Sequence, residues 1–504
     1  MLTALILVAG VANMNLAVAN VALPDIGKAL DASSTQLNLI AVGYSLGLAA
    51  SVLYFGAIGD RFGRKKMVVI GMALTLPASL VAGFATDVNV LFGARVFGGI
   101  AAGLAFPTTL AMITALWSGA PRTKAIATWS ALGAAISSAG PLLSGALLEW
   151  FDWHAVFLVT LPLAVIALAA AVWLLPNDSG DASAVLDNIG GVLSIILVGS
   201  TVLALNFAPV SDMRTALLVL SIVAVLSCIA FVVRQLRVRV PLFDLRVARR
   251  RTFWVAAVGG LVIFGTLMGA MYVGQQFIQN VLGYSTLAAG SLMLPAAAAM
   301  ILVAPRSAQL VERKGSRFTL LVGYVFILAG LTIALITWRE GASVWTVIAT
   351  YLSIGVGIGF AGTPASHSLT GSVPVQRAGM ASSMSDLQRD LGGAIMQSML
   401  GAVLTAGYAT ALSKTIADSP DAAQVSAQTE AALTKSFSGA SVVAERYPQY
   451  SEQIIAAARD AFVHGDAKAF AVAIIAVLAG AAVVAIWYPN AHDERELMRE
   501  YARQ

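Results

Sequence analysis

Asp386 and Asp390 stand four residues apart in a run that is otherwise apolar or small, with Arg389 between them. On a helix, an i,i+4 pair shares one face. Counted from Ala378, the two carboxyls lie roughly 12 and 18 Å along such a helix. If that helix crosses a bilayer, each carboxyl costs about 2.5–3.5 kcal/mol to place and needs a partner or water. Desolvation and mutual repulsion then favour proton uptake by at least one of them. In an apolar cavity with aromatic faces nearby, the same pair would hold a lipophilic cation. A proton and a cation competing for one set of carboxyls is the chemistry of antiport. Arg389 offers the competing reading for Asp386, a structural ion pair, which makes Asp390 the first candidate for proton coupling.

Other residues gather around this pair. Arg95 lies in a second apolar run, where it either faces a helix-bundle interior or snorkels to a nearby interface. Asn13, Asn15 and Asn20 form a polar stripe near the start of the chain that is expected to face a cavity. Tyr44, Trp129, Tyr272 and Phe360 are candidate cavity aromatics, with ordinary packing the alternative for each. Gly140, Pro141 and Gly145 would permit close helix approach and a bend, or mark a merely structural kink.

The elements that must position these groups follow from composition. Of 504 residues, 58% are hydrophobic and 11% charged, against about 25% charged in soluble domains. Neither a soluble fold nor a disordered chain has these proportions. One cysteine, Cys228, excludes a disulfide framework, and four scattered histidines argue against a histidine-built catalytic centre. A helix needs about 20 apolar residues to cross a membrane. Roughly fourteen such runs are readable, near 2–23, 37–58, 67–85, 90–116, 125–148, 155–175, 188–207, 214–233, 253–279, 287–308, 318–337, 344–366, 378–410 and 467–488. Of 26 Asp and Glu residues, only Asp386 and Asp390 fall well inside a run.

Charge placement orients the runs. With the N-terminus inside, the short internal connections and tail hold 20 Lys/Arg, and the short external ones hold three. The positive-inside rule therefore puts both termini in the cytoplasm. The basic run 234–251 reads as an anchor on anionic lipid rather than a nucleic-acid site.

The chain also repeats. Asp60-Arg61-Phe62-Gly63-Arg64-Lys65 is echoed 252 positions later by Glu312-Arg313-Lys314-Gly315-Ser316-Arg317, and small-residue runs end in Pro107 and Pro364. Two six-helix halves are expected, 1–187 and 253–504, with two inserted helices and a basic linker at 188–252. Parallel repeats suit halves that rock about a central cavity. The acid–Arg–Gly–base turns, with Gly56 upstream of the first, would carry ion pairs across the interface between halves, made in one access state and broken in the other. The polar stretch 411–466 is expected outside. There 450–464 reads as a short amphipathic helix, paired with 423–435 as a hairpin.

Residues 56–66, Arg95–Gly103 with Phe106–Leu110, and Ala139–Gly145 resemble the loop, span-four and span-five signatures of the major facilitator superfamily. Asn20–Pro24, Pro241–Arg246 and Gln279–Ser285 are similar to its fourteen-span drug:proton antiporters. Trp153-His154 and Asp390-Leu391-Gly392 resemble the QacA and SmvA type of quaternary-ammonium efflux pump. The resemblance implies an all-α polytopic major facilitator fold with about fourteen spans, in a bacterial plasma membrane. It implies a monomeric, proton-coupled multidrug exporter of lipophilic cations, surrounded by membrane lipid. It also implies acids at the positions of Asp386 and Asp390, and Arg95 beside the proton site. No enzyme activity, cofactor, metal or nucleic-acid partner is expected, and the proton gradient is the energy source. Asn15 departs from the pattern, since an acid is usual there and asparagine cannot titrate. Altered or absent coupling, export of an endogenous lipid or metabolite, and a membrane sensor built on 411–466 are the alternatives.

Overall fold

The computed structural model describes residues 1–503 apart from 31, 33, 178–179, 181–185, 209–212, 375–376 and 420–424. The side chains of 20, 24, 28, 34–35, 38, 134, 137–139, 141, 286 and 502–503 also lie outside the described set, those of Asn20 and Pro141 among them.

Every regular element among the described residues is a helix. The first half runs α1 (Leu2–Ala17), α2 (Ala19–Ala29), α3 (Ser34–Phe62), α4 (Arg64–Gly83), α5 (Val88–Leu116), α6 (Gly119–Leu148), α7 (His154–Leu158) and α8 (Thr160–Leu174). The insertion is α9 (Asn188–Phe207) and α10 (Arg214–Arg237), followed by α11 (Leu245–Ala248) in the basic linker. The second half continues with α12 (Arg251–Asn280), α13 (Thr286–Ser291), α14 (Leu294–Thr337), α15 (Val344–Gly371) and α16 (Ala378–Ala417). It ends with α17 (Ala427–Lys435), α18 (Phe437–Arg446), α19 (Ser451–Trp487) and α20 (Ala491–Arg503).

Local chemistry sets the breaks. The Asp87 carboxylate caps α5 by accepting from the Asn89 N–H at 2.7 Å, and Asp187 caps α9 through Gly190 N–H at 3.0 Å, as N-cap carboxylates do. Gly63 (φ 101°) turns the chain between α3 and α4, and Gly315 (φ 84°) breaks α14 at the equivalent place in the second half. Both turns need the positive φ that glycine tolerates.

Twelve helical segments among the described residues are long and apolar enough to cross a membrane, two fewer than expected. Residues Leu287–Thr337 form one such segment of 51 residues, about 75 Å of helix, although Gly315 divides it. Helix α6, expected as a span over 125–148, contains residues outside the described set and is not among the twelve. The periphery is apolar: Trp173, Leu218 and Leu226 are all more than half exposed, as lipid-facing side chains must be.

The halves meet along two seams. On one, α6 lies against α13, the first part of α14, and α15; Ala127 and Ala131 pack with Ala304 and Ala308. On the other, α3 packs on the first turns of α16. The inserted helices are not detached from the bundle. α9 lies over the second seam, where Val198 and Val202 join Ala49, Val52 and Leu53 of α3 and Leu387 of α16 in one cluster. α10 packs on α9, and Asp187 ties the pair through Arg234 (3.1 Å) and Gln235 (3.0 Å).

The segment 411–466 differs from the expected isolated hairpin. Residues 451–464 are the opening turns of α19 itself, a continuous 37-residue helix that includes the last apolar run. α17 and α18 form the hairpin and pack on α16 and α19, with Tyr408 Oη donating to Leu433 O at 3.0 Å.

Candidate functional site

α16 carries Asp386 and Asp390 to the middle of the molecule, between the halves. Asp386 is fully buried and neither of its oxygens has a hydrogen-bond partner; Asp390 is half-buried and its Oδ2 is likewise unpartnered. Asp390 lies within electrostatic reach of Tyr44 on α3, across the seam. A buried carboxylate without a partner is costly, and that cost disappears when the group takes a proton or an arriving cation. The competing reading, an ion pair between Arg389 and Asp386, has no contact to support it among the described residues, although the two lie within electrostatic reach. Arg389 instead turns its guanidinium onto Phe264, Phe106 and Trp129.

Arg95 does not snorkel. It is 2% exposed and points inward, donating to the backbone oxygens of Asn15 (2.5 Å) and Ile40 (3.4 Å). Its guanidinium lies 5.0 Å from the Tyr44 ring centre and 5.9 Å from that of Phe157. Arg95 Nη2 and Tyr44 Oη lack partners, so α1, α3 and α5 present an unsatisfied donor group opposite Asp390. Asn15 sits against this group by its backbone only. Its amide donates to Val11 O at 3.1 Å and its Oδ1 accepts from Thr160 at 3.2 Å. Asn13 also bonds its own helix, at Ala9 O. Both side chains are buried rather than open to a cavity, because each satisfies its amide locally.

At one end of the molecule the halves are locked. The Asp60 carboxylate accepts from the Gly379 N–H at 2.9 and 3.1 Å, the first turn of α16, while holding Arg64 at 3.0 Å. An anion at a helix N-terminus meets unsatisfied N–H groups and the positive dipole end. Gly56 makes the approach possible: a Cβ there would lie 2.0 Å from Ser383 Oγ and 2.7 Å from Gly379 O. Arg61 stacks on Phe62 at 5.1 Å and makes no cross-seam pair among the described residues. Arg377 reaches Asp244 at 2.6 Å beside the same junction.

The second loop does not do the same job. Glu312 and Arg313 are exposed, and Gly315–Arg317 engage the tail of their own half. Ser316 N–H donates to Glu494 of α20 at 2.8 Å, Arg495 to Arg313 O, and Arg317 to Ala485 O. The repeat is symmetric in sequence and asymmetric in use. Among the described residues, only the first copy crosses the seam.

The four candidate aromatics divide. Tyr44 and Trp129 are buried at the seams, with Trp129 Nε1 donating to Thr109 at 2.9 Å. Tyr272 is 38% exposed and packs on Gly401, and Phe360 stacks on the exposed Phe326 at 6.0 Å, so neither joins the group. Gly140 brings α6 against Ala17, where a Cβ would lie 2.8 Å from the alanine methyl, while Gly145 has ordinary room beside Leu287. Helix α6 is unbroken through 119–148.

Three polar residues were not anticipated. Asp466 is 1% exposed with Oδ1 unpartnered, near Tyr351; placing the last span at 467 hid it by one residue. Arg122 of α6 and His367 of α15 face each other across the first seam, with unpartnered ring and guanidinium nitrogens. Their signal in the sequence was only a charge near the end of an apolar run.

The model of the Major Facilitator Superfamily matches residues 5–397. The multidrug efflux pump LfrA of Mycolicibacterium smegmatis is 31% identical over 456 residues, covering 90% of this chain and 89% of that protein. The multidrug resistance protein Stp of Mycobacterium tuberculosis is 29% identical, covering 94% and 89%. The methyl viologen resistance protein SmvA of Salmonella typhimurium is 28% identical, covering 95% of both. Among solved structures, a bacterial homologue of the human lysosomal transporter Spinster, inward-facing and unoccupied, superposes with a TM-score of 0.57 at 16% identity, covering 99% of this chain and 97% of that one. With this coverage and a helical membrane architecture, the chain belongs to the Major Facilitator Superfamily.

Proposed function

We propose that this transporter is a proton-coupled exporter of lipophilic, quaternary-type cations that works by alternating access in a bacterial plasma membrane, with both termini cytoplasmic. The observation that carries the reading is the pair of unpartnered carboxyls, Asp386 and Asp390, on the helix whose first turn closes the lock at Asp60. A proton or a cationic group can satisfy those oxygens, and the two compete. The helix that holds them is also the one released when the lock opens, so occupancy and access are mechanically joined. The names of the relatives LfrA, Stp and SmvA support a drug substrate. Buried Asn15 contributes no titrating group, so coupling rests on α16.

Acidifying the lumen of everted vesicles is expected to drive uptake of an aromatic dication, and Asp390→Asn to abolish it. Uptake indifferent to ΔpH would sink the antiport reading. A second reading, export of a lipid, draws on a half-open, almost entirely apolar groove of about 610 Å³ between α1, α6 and α8, lined among others by Leu7, Met14, Leu142 and Leu163. Lipid export without any cation transport would favour it.

A further inference from the structure

Arg389 is a permanent cation within electrostatic reach of two acids and, among the described residues, in ion-pair contact with neither. Its guanidinium carbon lies 4.8 Å from the ring centre of Phe264, 5.5 Å from Phe106 and 5.6 Å from Trp129. Phe106 and Trp129 belong to the first half and stack at 5.7 Å, with planes 28° apart. Trp129 is pinned by its hydrogen bond to Thr109. Phe264 and Arg389 belong to the second half. The rings are 1–3% exposed, so the box is built and held by its surroundings, while Arg389 itself is only half-buried.

Ring faces attract a desolvated cation, and guanidinium stacks on them well. A charged carboxylate within reach is a stronger partner still, because it offers charge-assisted hydrogen bonds. Asp386, three residues away, and Asp390, adjacent, both have unpartnered oxygens. Arg389 therefore has two alternative partners and occupies the aromatic one.

We propose that the Phe106–Trp129–Phe264 box is a subsite for organic cations that Arg389 fills at rest as a built-in competitor, and that an entering cation displaces the guanidinium onto Asp386 and Asp390. Each carboxyl that pairs with Arg389 gives its proton to the water of the cavity, and Arg389 keeps its charge throughout. Cation entry is thereby exchanged for proton release without direct contact between substrate and acid. The ligand class is a flat or quaternary organic monocation that can present its charge to three rings. The inference rests on the cation-export reading and assigns its subsite.

The test is ethidium binding to the purified full chain in lipid nanodiscs, followed by fluorescence, with proton release read by a pH indicator. Removing the competitor in Arg389→Gln is expected to tighten binding about tenfold and to abolish the released proton. Trp129→Leu is expected to weaken binding by at least as much. Arg389→Lys, with a compact and better-hydrated charge, should bind between wild type and Arg389→Gln. Arg389→Lys also stands in if Arg389→Gln is not monodisperse. Wild type that binds and exports ethidium while Arg389→Gln binds no more tightly, or still releases protons, overturns this inference and leaves cation export standing. Wild type that neither binds nor exports ethidium overturns both.

Discussion

Asp60→Asn keeps the shape of the lock at the second seam and removes its charge. The carboxylate now accepts the single Gly379 N–H on both oxygens, at 2.9 and 3.1 Å, and forms an ion pair to Arg64 at 3.0 Å. A negative charge at a helix N-terminus contributes about 0.3–1 kcal/mol, up to about 2 in a partly buried site. An amide can still accept one of the bonds, so a loss of about 1–2 kcal/mol is expected, which is about 5–30-fold in the ratio of locked to open forms. Gly56→Ala attacks the same contact sterically. Its Cβ would lie 2.7 Å from the backbone oxygen of Gly379, and restoring ordinary van der Waals contact requires α3 and α16 to part by several tenths of an ångström. Overpacking of that kind costs about 1–3 kcal/mol. The assay is a spin-label distance between Phe62→Cys and Arg246→Cys, both exposed, in a Cys228→Ser background. Wild type should populate the short distance. Each substitution should raise the long-distance population by the stated factor, and the two together should do little more than the stronger one alone, because they break one contact. An unchanged distance distribution in both variants would refute the lock.

Burial pushes Glu494 above the ordinary glutamate range, against hydrogen bonds from Ser316 and Tyr488 that pull it down. The native state therefore binds this proton more tightly than the unfolded chain, and docking of α20 is strongest at low pH and weakens as pH rises from about 4.3 through the folded value. The protection factor of the Ser316 amide, with the intrinsic base-catalysed rate divided out, should fall across that window in wild type and stay flat in Glu494→Gln; protection that rises with pH would contradict the sign. Asp466→Asn neutralises a buried acid with one unpartnered oxygen, so the melting temperature should stay level or rise, by the equivalent of about 1–3 kcal/mol. A clear fall would show that the charged form is held by a partner. Gly191→Val places a side chain against Tyr54, whose ring already lies 2.2 Å from where a Cβ would stand. It should pry α9 from α3, seen as loss of the short distance between labels on those helices, while a variant that keeps it would mean the inserted helix is compliant.

What the sequence made legible was the set of charges that a membrane forbids. Asp386, Asp390 and Arg95 stand out because no apolar run carries an ion without reason, and all three lie inside the molecule. The turn glycines Gly63 and Gly315 were legible for a related reason, since each sits where the backbone requires positive φ. Partner choice was not legible. Arg389 is nearer in sequence to Asp386 than to any aromatic ring, yet it reaches Phe264, Phe106 and Trp129, which lie 125, 283 and 260 positions away. Long side chains are governed by what tertiary packing brings within about 6 Å, and local spacing offers only a candidate. The two acid–Arg–Gly–base turns make the same point at larger scale. Glu312 has no cross-seam partner among the described residues, whereas Asp60 meets the N-terminus of α16. The Gly315–Arg317 turn is covered instead by α20, a polar helix with no counterpart among the described residues of the first half. An inherited repeat is thus split into a lock and an anchor. The Asp60 contact falls on the helix that carries Asp386 and Asp390, so under the proposed mechanism occupancy of the carboxyls would report to one gate.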